Sequence, residues 1–357
     1  MVTMLDCIER VPSLLNAIIE NGHSTFDDVF AKFNPNAIDE ICLVGSGTSH
    51  NSAVTARYLM EKASGVRVTP VLPNEFLYSF SVRNPHALYV FISQTGTSTV
   101  TMEAVQYVNS QGYMSVCVSE KLDTPIAKEA GAYINMGCGR EEYPMRTIGY
   151  STTVMTLMML GLELGYRRGT LGEEAYADYL TQAKAAAANI PQVISAAQKW
   201  VDNCKRRIMK SAFIAFTGAD ALYGVAVEAA VKVWEAPQFP SAGYELDEGM
   251  HGPNYGYNHN HAVIVLNNGG RDEKKALQLA KYMKNEHKNG YIVGLGTLDD
   301  KDLAFEPKGG AFACLEFAAA MQVFMYRLAV DGGRDFFAPN EHSVMESYFN
   351  SHNEKIS

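Results

Sequence analysis

Two kinds of residue in this chain could do chemistry. The first kind binds anions. Ser93-Gln94-Thr95-Gly96-Thr97-Ser98-Thr99 follows the apolar run Leu88–Ile92 and precedes a segment of helical spacing, Val100–Val108. Strand, turn and helix in that order place free N–H groups and a positive dipole end where an anion can sit. The hydroxyls of Ser93, Thr95, Ser98 and Thr99 add neutral donors. The turn has no lysine and is not a Walker loop; a hydroxyl cradle suits a monophosphate ester better than a nucleoside triphosphate. An ordinary βα turn with a Ser/Thr cap has the same composition, so this turn does not decide alone. The second kind moves protons. Glu228, Lys232 and Glu235 fall at i, i+4 and i+7 and share one helix face. Asp247-Glu248-Gly249-Met250-His251-Gly252-Pro253 ends in a tight turn just after a histidine. Taken singly, these are a solvated charged stripe and a structural histidine. A carboxylate and an imidazole brought to one anion site form a base–acid pair for proton transfer beside a carbonyl.

Other candidates fail on spacing. His251, His259 and His261 have no carboxylate or cysteine at a familiar ligand distance, so no metal is expected. Gly45-x-Gly47 suggests a dinucleotide loop, but His50 stands at the third glycine position and the second strand ends in Leu72-Pro73-Asn74 with no acid, which argues against NAD.

Elements alternate around these residues. Strands are expected at 41–44, 66–72, 88–93, 113–118 and 132–136, with helices at 51–62 and 100–110, so the fold class is α/β with doubly wound parallel sheets. Thr152–Tyr166 reads as a buried helix and Glu173–Trp200 as a helical arm. The pattern then restarts with strands at 212–216, 261–266 and 291–295 and helices at 225–234 and 274–284. Gly47 to Ser93 and Gly218 to Asn267 are nearly the same distance apart, which indicates two α/β halves in tandem. Where the first half has Ser93–Thr99, the second has Asn267-Asn268-Gly269-Gly270-Arg271-Asp272-Glu273. It lacks the hydroxyls and carries two carboxylates, which repel phosphate. The first half is therefore expected to hold the anion. The expected division is a helical segment at 1–35, a first α/β domain at 36–170, a helical connector at 171–205, a second α/β domain at 206–335 and a tail at 336–357.

The composition is that of an ordinary globular protein: 357 residues, 47% hydrophobic and 19% charged. A net charge of −9 argues against nucleic acid as partner. Cysteines 7, 42, 117, 138, 204 and 314 are scattered without a C-x-x-C, as in a reducing cytoplasm. No signal-peptide core opens the chain and no apolar run reaches about 18 residues, so neither secretion nor a membrane partner is expected.

With these residues together, the chain resembles the double-SIS sugar-phosphate family and is similar to the isomerase half of glucosamine-6-phosphate synthase over about residues 40 to 340. The family's first loop, G-T-S, is matched by Gly47-Thr48-Ser49. Its second, S-Q-[ST]-G-x-[ST], is matched by Ser93-Gln94-Thr95-Gly96-Thr97-Ser98. Its K-x-x-E followed by H-G-P is matched by Lys232, Glu235 and His251-Gly252-Pro253 at the family's spacing. The resemblance implies two flavodoxin-like halves, and a phosphosugar held by Gly47, Thr48, Ser49, Ser93, Gln94, Thr95 and Ser98. It implies catalysis by Glu235 and His251 without a cofactor, and a homodimer or larger assembly in which the histidine reaches a neighbouring subunit's site. Lys232, Arg146, Thr147 and His342 are the further residues expected to touch substrate. The synthase has a glutaminase domain and a C-terminal lysine that forms an imine with the sugar. Neither is matched here: Pro339–Val344 has no lysine and Lys355 lies further on. Glutamine-dependent synthesis is therefore not expected. Stand-alone double-SIS chains of this kind resemble fructosamine-6-phosphate deglycases, which act on Amadori phosphates such as fructoselysine or glucoselysine 6-phosphate; Arg140–Thr147 resembles them too. An aldose–ketose isomerase, an amino-sugar-phosphate deaminase or a non-catalytic sugar-phosphate sensor are the alternatives. Arg146, Tyr244, Glu245, Asp247 and Glu248 are expected at the amine end of the substrate, where acids would favour a lysine moiety.

Overall fold

A computed structural model describes residues 2–143, 145–336 and 348. The chain forms two compact units. One comprises Ala17–Arg140 and Thr152–Ala177; the other comprises residues 2–16, Glu141–Ser151 and Asp178–Phe336.

In chain order the chain opens with α1 (Met4–Asn21) and α2 (Asp27–Lys32). Between them Gly22, with a φ of +48°, starts a 3₁₀ turn. There follow β1 (Glu40–Gly45), α3 (Thr48–Ser64), β2 (Arg67–Val71), α4 (Pro73–Tyr78), β3 (Ala87–Ile92), α5 (Thr99–Ser110), β4 (Met114–Ser119), α6 (Pro125–Glu129) and β5 (Ala132–Asn135). The sheet is parallel, in the order β2-β1-β3-β4-β5. Every residue of β3 is buried, as expected of a strand covered on both faces, and this is why it reads as an unbroken apolar run. α7 (Ile148–Arg168) packs hard on α3: a Cβ at Gly161 would lie 2.5 Å from Met60 Cα and one at Gly165 2.1 Å from the Ala63 carbonyl oxygen.

After α8 (Glu173–Ile208) come β6 (Phe213–Gly218), α9 (Ala221–Glu235), β7 (Ser241–Glu245), β8 (His261–Asn267), α10 (Glu273–His287), β9 (Gly290–Gly294), β10 (Leu303–Ala304) and α11 (Cys314–Asp331). This second parallel sheet is ordered β10-β9-β8-β6-β7. Read from its β7 edge it runs second, first, third, fourth, fifth, the same order as the first sheet. Both halves are thus doubly wound with a switch point between their first and third strands. β7, β10 and α11 add to the elements expected from sequence. By length and composition α11 with its preceding turn could cross a membrane, but 83% of that stretch is buried inside the protein; Glu316, Gln322 and Arg327 break its apolar run. The six cysteines are free and buried, and burial pushes the Cys42, Cys117, Cys204 and Cys314 thiols up to about 12.

Candidate functional site

In the first-sheet unit the carboxyl ends of β1 and β3 flank the switch point, where doubly wound sheets bind ligands. The loops there are Ser46–Gly47 and Ser93–Ser98. Gly47 N-caps α3 with φ +57°, and Ser98 N-caps α5; neither makes a side-chain capping bond. Gly96 has φ +66°, and a Cβ on it would lie 2.2 Å from Thr124 Oγ1, so this turn demands glycine twice over. The loop is internally braced. Gly96 N–H donates to Ser93 O (3.1 Å), Ile126 N–H to Gly96 O (3.1 Å), and Thr101 Oγ1 to Ser98 Oγ (3.0 Å); Thr95 and Thr97 hydroxyls pair at 2.9 Å. Ser93 is buried, while Thr48, Ser49, Gln94, Thr95 and Ser98 are partly open and Gly47 is exposed. Two helix starts and a row of hydroxyls make a neutral-donor environment for a monophosphate. His50, in the first turn of α3, has its pKa lowered by burial and so stays neutral at pH 7.

The second-sheet unit keeps the same loop backbone at its own switch point with different chemistry. Asp220 N-caps α9 at φ +51°, ψ −127°, almost the geometry of Gly47 at φ +57°, ψ −129°. Arg271 Nη2 lies 2.8 Å from Asp272 and 3.5 Å from Asp220. A cavity of about 230 Å³ lies at this switch point, bordered by both carboxylates.

The residues expected to move protons, Glu228, Lys232 and Glu235, sit on α9. Lys232 Nζ is 2.5 Å from Glu235 Oε2 and 3.5 Å from Glu228 Oε1. Lys232 and Glu228 are only 2% and 3% exposed, so this is no solvated stripe, whereas the Glu235 side chain is 37% exposed. Burial works to lower the Lys232 pKa, but attraction to Glu228 and Glu235, then to Glu141, outweighs it and holds the ammonium above the ordinary lysine value. Thr147 is fully buried and gives both its N–H and its hydroxyl to Glu141, while half-buried Arg146 donates to the Glu141 carbonyl. Gln322 of α11 donates to Thr147 O and to Ser151 Oγ. Glu141 and Gln322 escaped sequence reading. For Glu141 the signals were its place in the Arg140–Thr147 segment and an acid seven residues ahead of the first residue of α7.

His251 lies on an exposed loop after β7. Its side chain is 68% exposed and Nε2 lies 3.8 Å from Asp247 Oδ2. Glu245 holds that loop by accepting the N–H groups of Asp247 and Glu248 at 2.7 and 3.0 Å, and Asp247 pairs with Lys275. Two of the acids expected at the amine end thus have structural partners. His261 Nδ1 is buried without a hydrogen-bond partner. His342 and Lys355 lie outside the described residues.

Residues 37–163 match the SIS domain family model. The glutamine–fructose-6-phosphate aminotransferase (isomerizing) of Tropheryma whipplei is 32% identical over 217 residues, 61% of this chain and 35% of that protein. The chain spans about a third to a half of the length of the curated relatives it matches. The C-terminal domain of glucosamine-fructose-6-phosphate aminotransferase from Francisella tularensis superposes with a TM-score of 0.86 at 22% identity, covering 94% of this chain and 97% of that one. Glucosamine-6-phosphate deaminase from Thermotoga maritima does so with a TM-score of 0.76 at 19% identity, again covering 94% and 97%. The class is therefore that of the α/β proteins built on two like parallel sheets. Over residues 37–163 the chain is similar to SIS domains.

Proposed function

We propose that the protein is a cofactor-independent phosphosugar enzyme that moves the proton between C1 and C2 of an open-chain substrate, and that it is a fructosamine-6-phosphate deglycase. The observation that carries the reading is Glu235: a solvent-reachable carboxylate at the end of α9, fixed by a buried, protonated lysine. The hydroxyl loops after β1 and β3 supply the anion-binding half of the requirement. Relatives named for fructose 6-phosphate amination and glucosamine 6-phosphate deamination act where a C1/C2 proton transfer is needed.

The phosphate is bound by Gly47, Thr48, Ser49, Ser93, Gln94, Thr95 and Ser98. Glu235 takes a proton from C1 of the open-chain fructosamine, and the electron pair moves into a C1–C2 double bond as the C2 carbonyl becomes a hydroxyl. Lys232 offsets the charge that develops, and His251 of a neighbouring subunit supplies the proton at the carbonyl oxygen. Return of a proton to C2 leaves an imine between C1 and the amine nitrogen. Water adds to that imine and splits it into hexose 6-phosphate and free amine. A positioned base and acid each contribute roughly 10²–10⁴ in rate. An isomerase or deaminase would use the same base on the same proton, and the relatives' names favour this as the second reading; an isomerase releases no amine and a deaminase releases ammonia, where the deglycase releases an amino acid. Glu235→Gln is expected to abolish turnover while fructose 6-phosphate still raises the melting temperature. Near-full activity in that variant would refute the assignment and favour a sensor.

A further inference from the structure

The turn that opens α7 holds a carboxylate unusually firmly. Glu141 Oε1 accepts the N–H groups of Thr147 (2.5 Å) and Ile148 (2.9 Å) and the Thr147 hydroxyl (3.0 Å), and Oε2 accepts the Gly149 N–H (3.0 Å). A capping side chain ordinarily serves one such donor. The same turn is tied down from α11. Gln322 Nε2 donates to Thr147 O (2.9 Å) and Ser151 Oγ (3.2 Å). Since a carbonyl only accepts, this fixes which way the Gln322 amide faces. Its Oε1 is left buried and unpartnered. Gln322 and Tyr150 line one small cavity with Glu228 and Lys232. Lys232 is thus paired with Glu228 and Glu235 on its own helix and shares this cavity with Tyr150 of α7 and the uncharged Gln322 of α11, while the charge of Glu141, on the turn that Gln322 ties down, adds to the attraction that holds its proton. Nothing in the reaction scheme above uses Glu141.

We infer that Glu141 is a positioning residue for the proton transfer: clamped by the α7 turn, it acts on Lys232 and, through Lys232, on the Glu235 carboxylate. The inference rests on the reading of Glu235 as the base. A lysine with two carboxylates on its own helix can swing between them. A third charge fixed to a rigid helix start sets where it rests, and Glu235 follows it through their 2.5 Å contact.

The test compares wild type, Glu141→Gln and Glu235→Gln on fructoselysine 6-phosphate, glucoselysine 6-phosphate, fructose 6-phosphate and glucosamine 6-phosphate, with fructose 6-phosphate affinity and melting temperature measured for each. Glu141→Gln is expected to lower kcat about tenfold with KM and affinity within about twofold. Gln322→Met, which frees the turn and keeps every charge, is expected to lower kcat less, again without moving KM. A folded Glu141→Gln with wild-type kcat overturns the inference. So does a loss of kcat, KM and melting temperature together, the signature of a merely structural cap. If Glu141→Gln does not fold, Gln322→Met decides on the same readings. Turnover lost in Glu235→Gln but kept in Glu141→Gln fails the inference alone. A wild type inactive on all four substrates fails the reading of Glu235 and the inference with it.

Discussion

Lys232 is the residue on which the buried part of the candidate site depends. Its ammonium is almost wholly enclosed between Glu228 and Glu235. Removing one partner of a buried pair leaves the other charge uncompensated and costs about 3–5 kcal/mol, far more than an exposed pair is worth. Lys232→Met is therefore expected to lower unfolding stability by about that amount in denaturant titration, and Lys232→Met with Glu228→Gln to recover much of it. Because the folded pKa of Lys232 lies above the ordinary 10.5, its contribution is complete below that value and is lost only as pH rises through the higher folded one. The difference between wild type and Lys232→Met should thus be flat from pH 6 to 9. At this scale the sequence shows residue types and periodicity but not burial. Glu228, Lys232 and Glu235 share a face by spacing, yet a solvated stripe has the same spacing. What separates them is the packing of α11 against α9, and α11 was not anticipated. Thr147 illustrates the converse, since its hydroxyl looks available in sequence and is given to Glu141 in the fold.

The elements bring these residues to the sheet ends, and close packing fixes them there. α3 begins at the loop Gly47-Thr48-Ser49 and is held along its length by α7. Gly165→Ala would gain about 0.8–1.0 kcal/mol in helix propensity. It would also drive a Cβ to 2.1 Å from a backbone carbonyl, and overpacking of that kind costs about 1–3 kcal/mol. Backbone cannot yield as a flexible side chain does, so Gly165→Ala is expected to lower the melting temperature despite the better helix former. A melting temperature at or above wild type would contradict the account of the α3–α7 contact. Most strands were legible because each is buried on both faces and reads as an apolar run. β7 was not, and the reason is steric. Ser241-Ala242-Gly243-Tyr244-Glu245 is an edge strand so close to α9 that a Cβ on Gly243 would lie 2.5 Å from Val227 Cα, so small residues replace the β-branched ones that mark a strand.

Across the whole molecule, two sheets of identical strand order differ in what their switch points carry: hydroxyls after β1 and β3, carboxylates with an arginine after β6 and β8. The repeat was visible in sequence from matching loop spacings, and the divergence from composition alone. Which subunit each proposed catalytic group would serve is not written in one chain. The exposed loop of His251 fits the proposal that it works in a neighbour's site, and mixing variants tests it. The Glu235→Gln and His251→Asn variants should each be inactive alone. Hybrids formed by mixing should regain activity, because one of their two sites pairs an intact Glu235 with an intact His251 from the other chain. No recovery after verified subunit exchange would place His251 in its own chain's site.

The most direct test of the central claim is to incubate the purified protein with fructoselysine 6-phosphate and glucoselysine 6-phosphate, without metal or nucleotide, and to assay hexose 6-phosphate and free lysine. Equimolar release of both, lost in Glu235→Gln, is the predicted result. No lysine from either substrate, with fructose 6-phosphate still raising the melting temperature, would contradict the deglycase reading and leave a phosphosugar site of different chemistry.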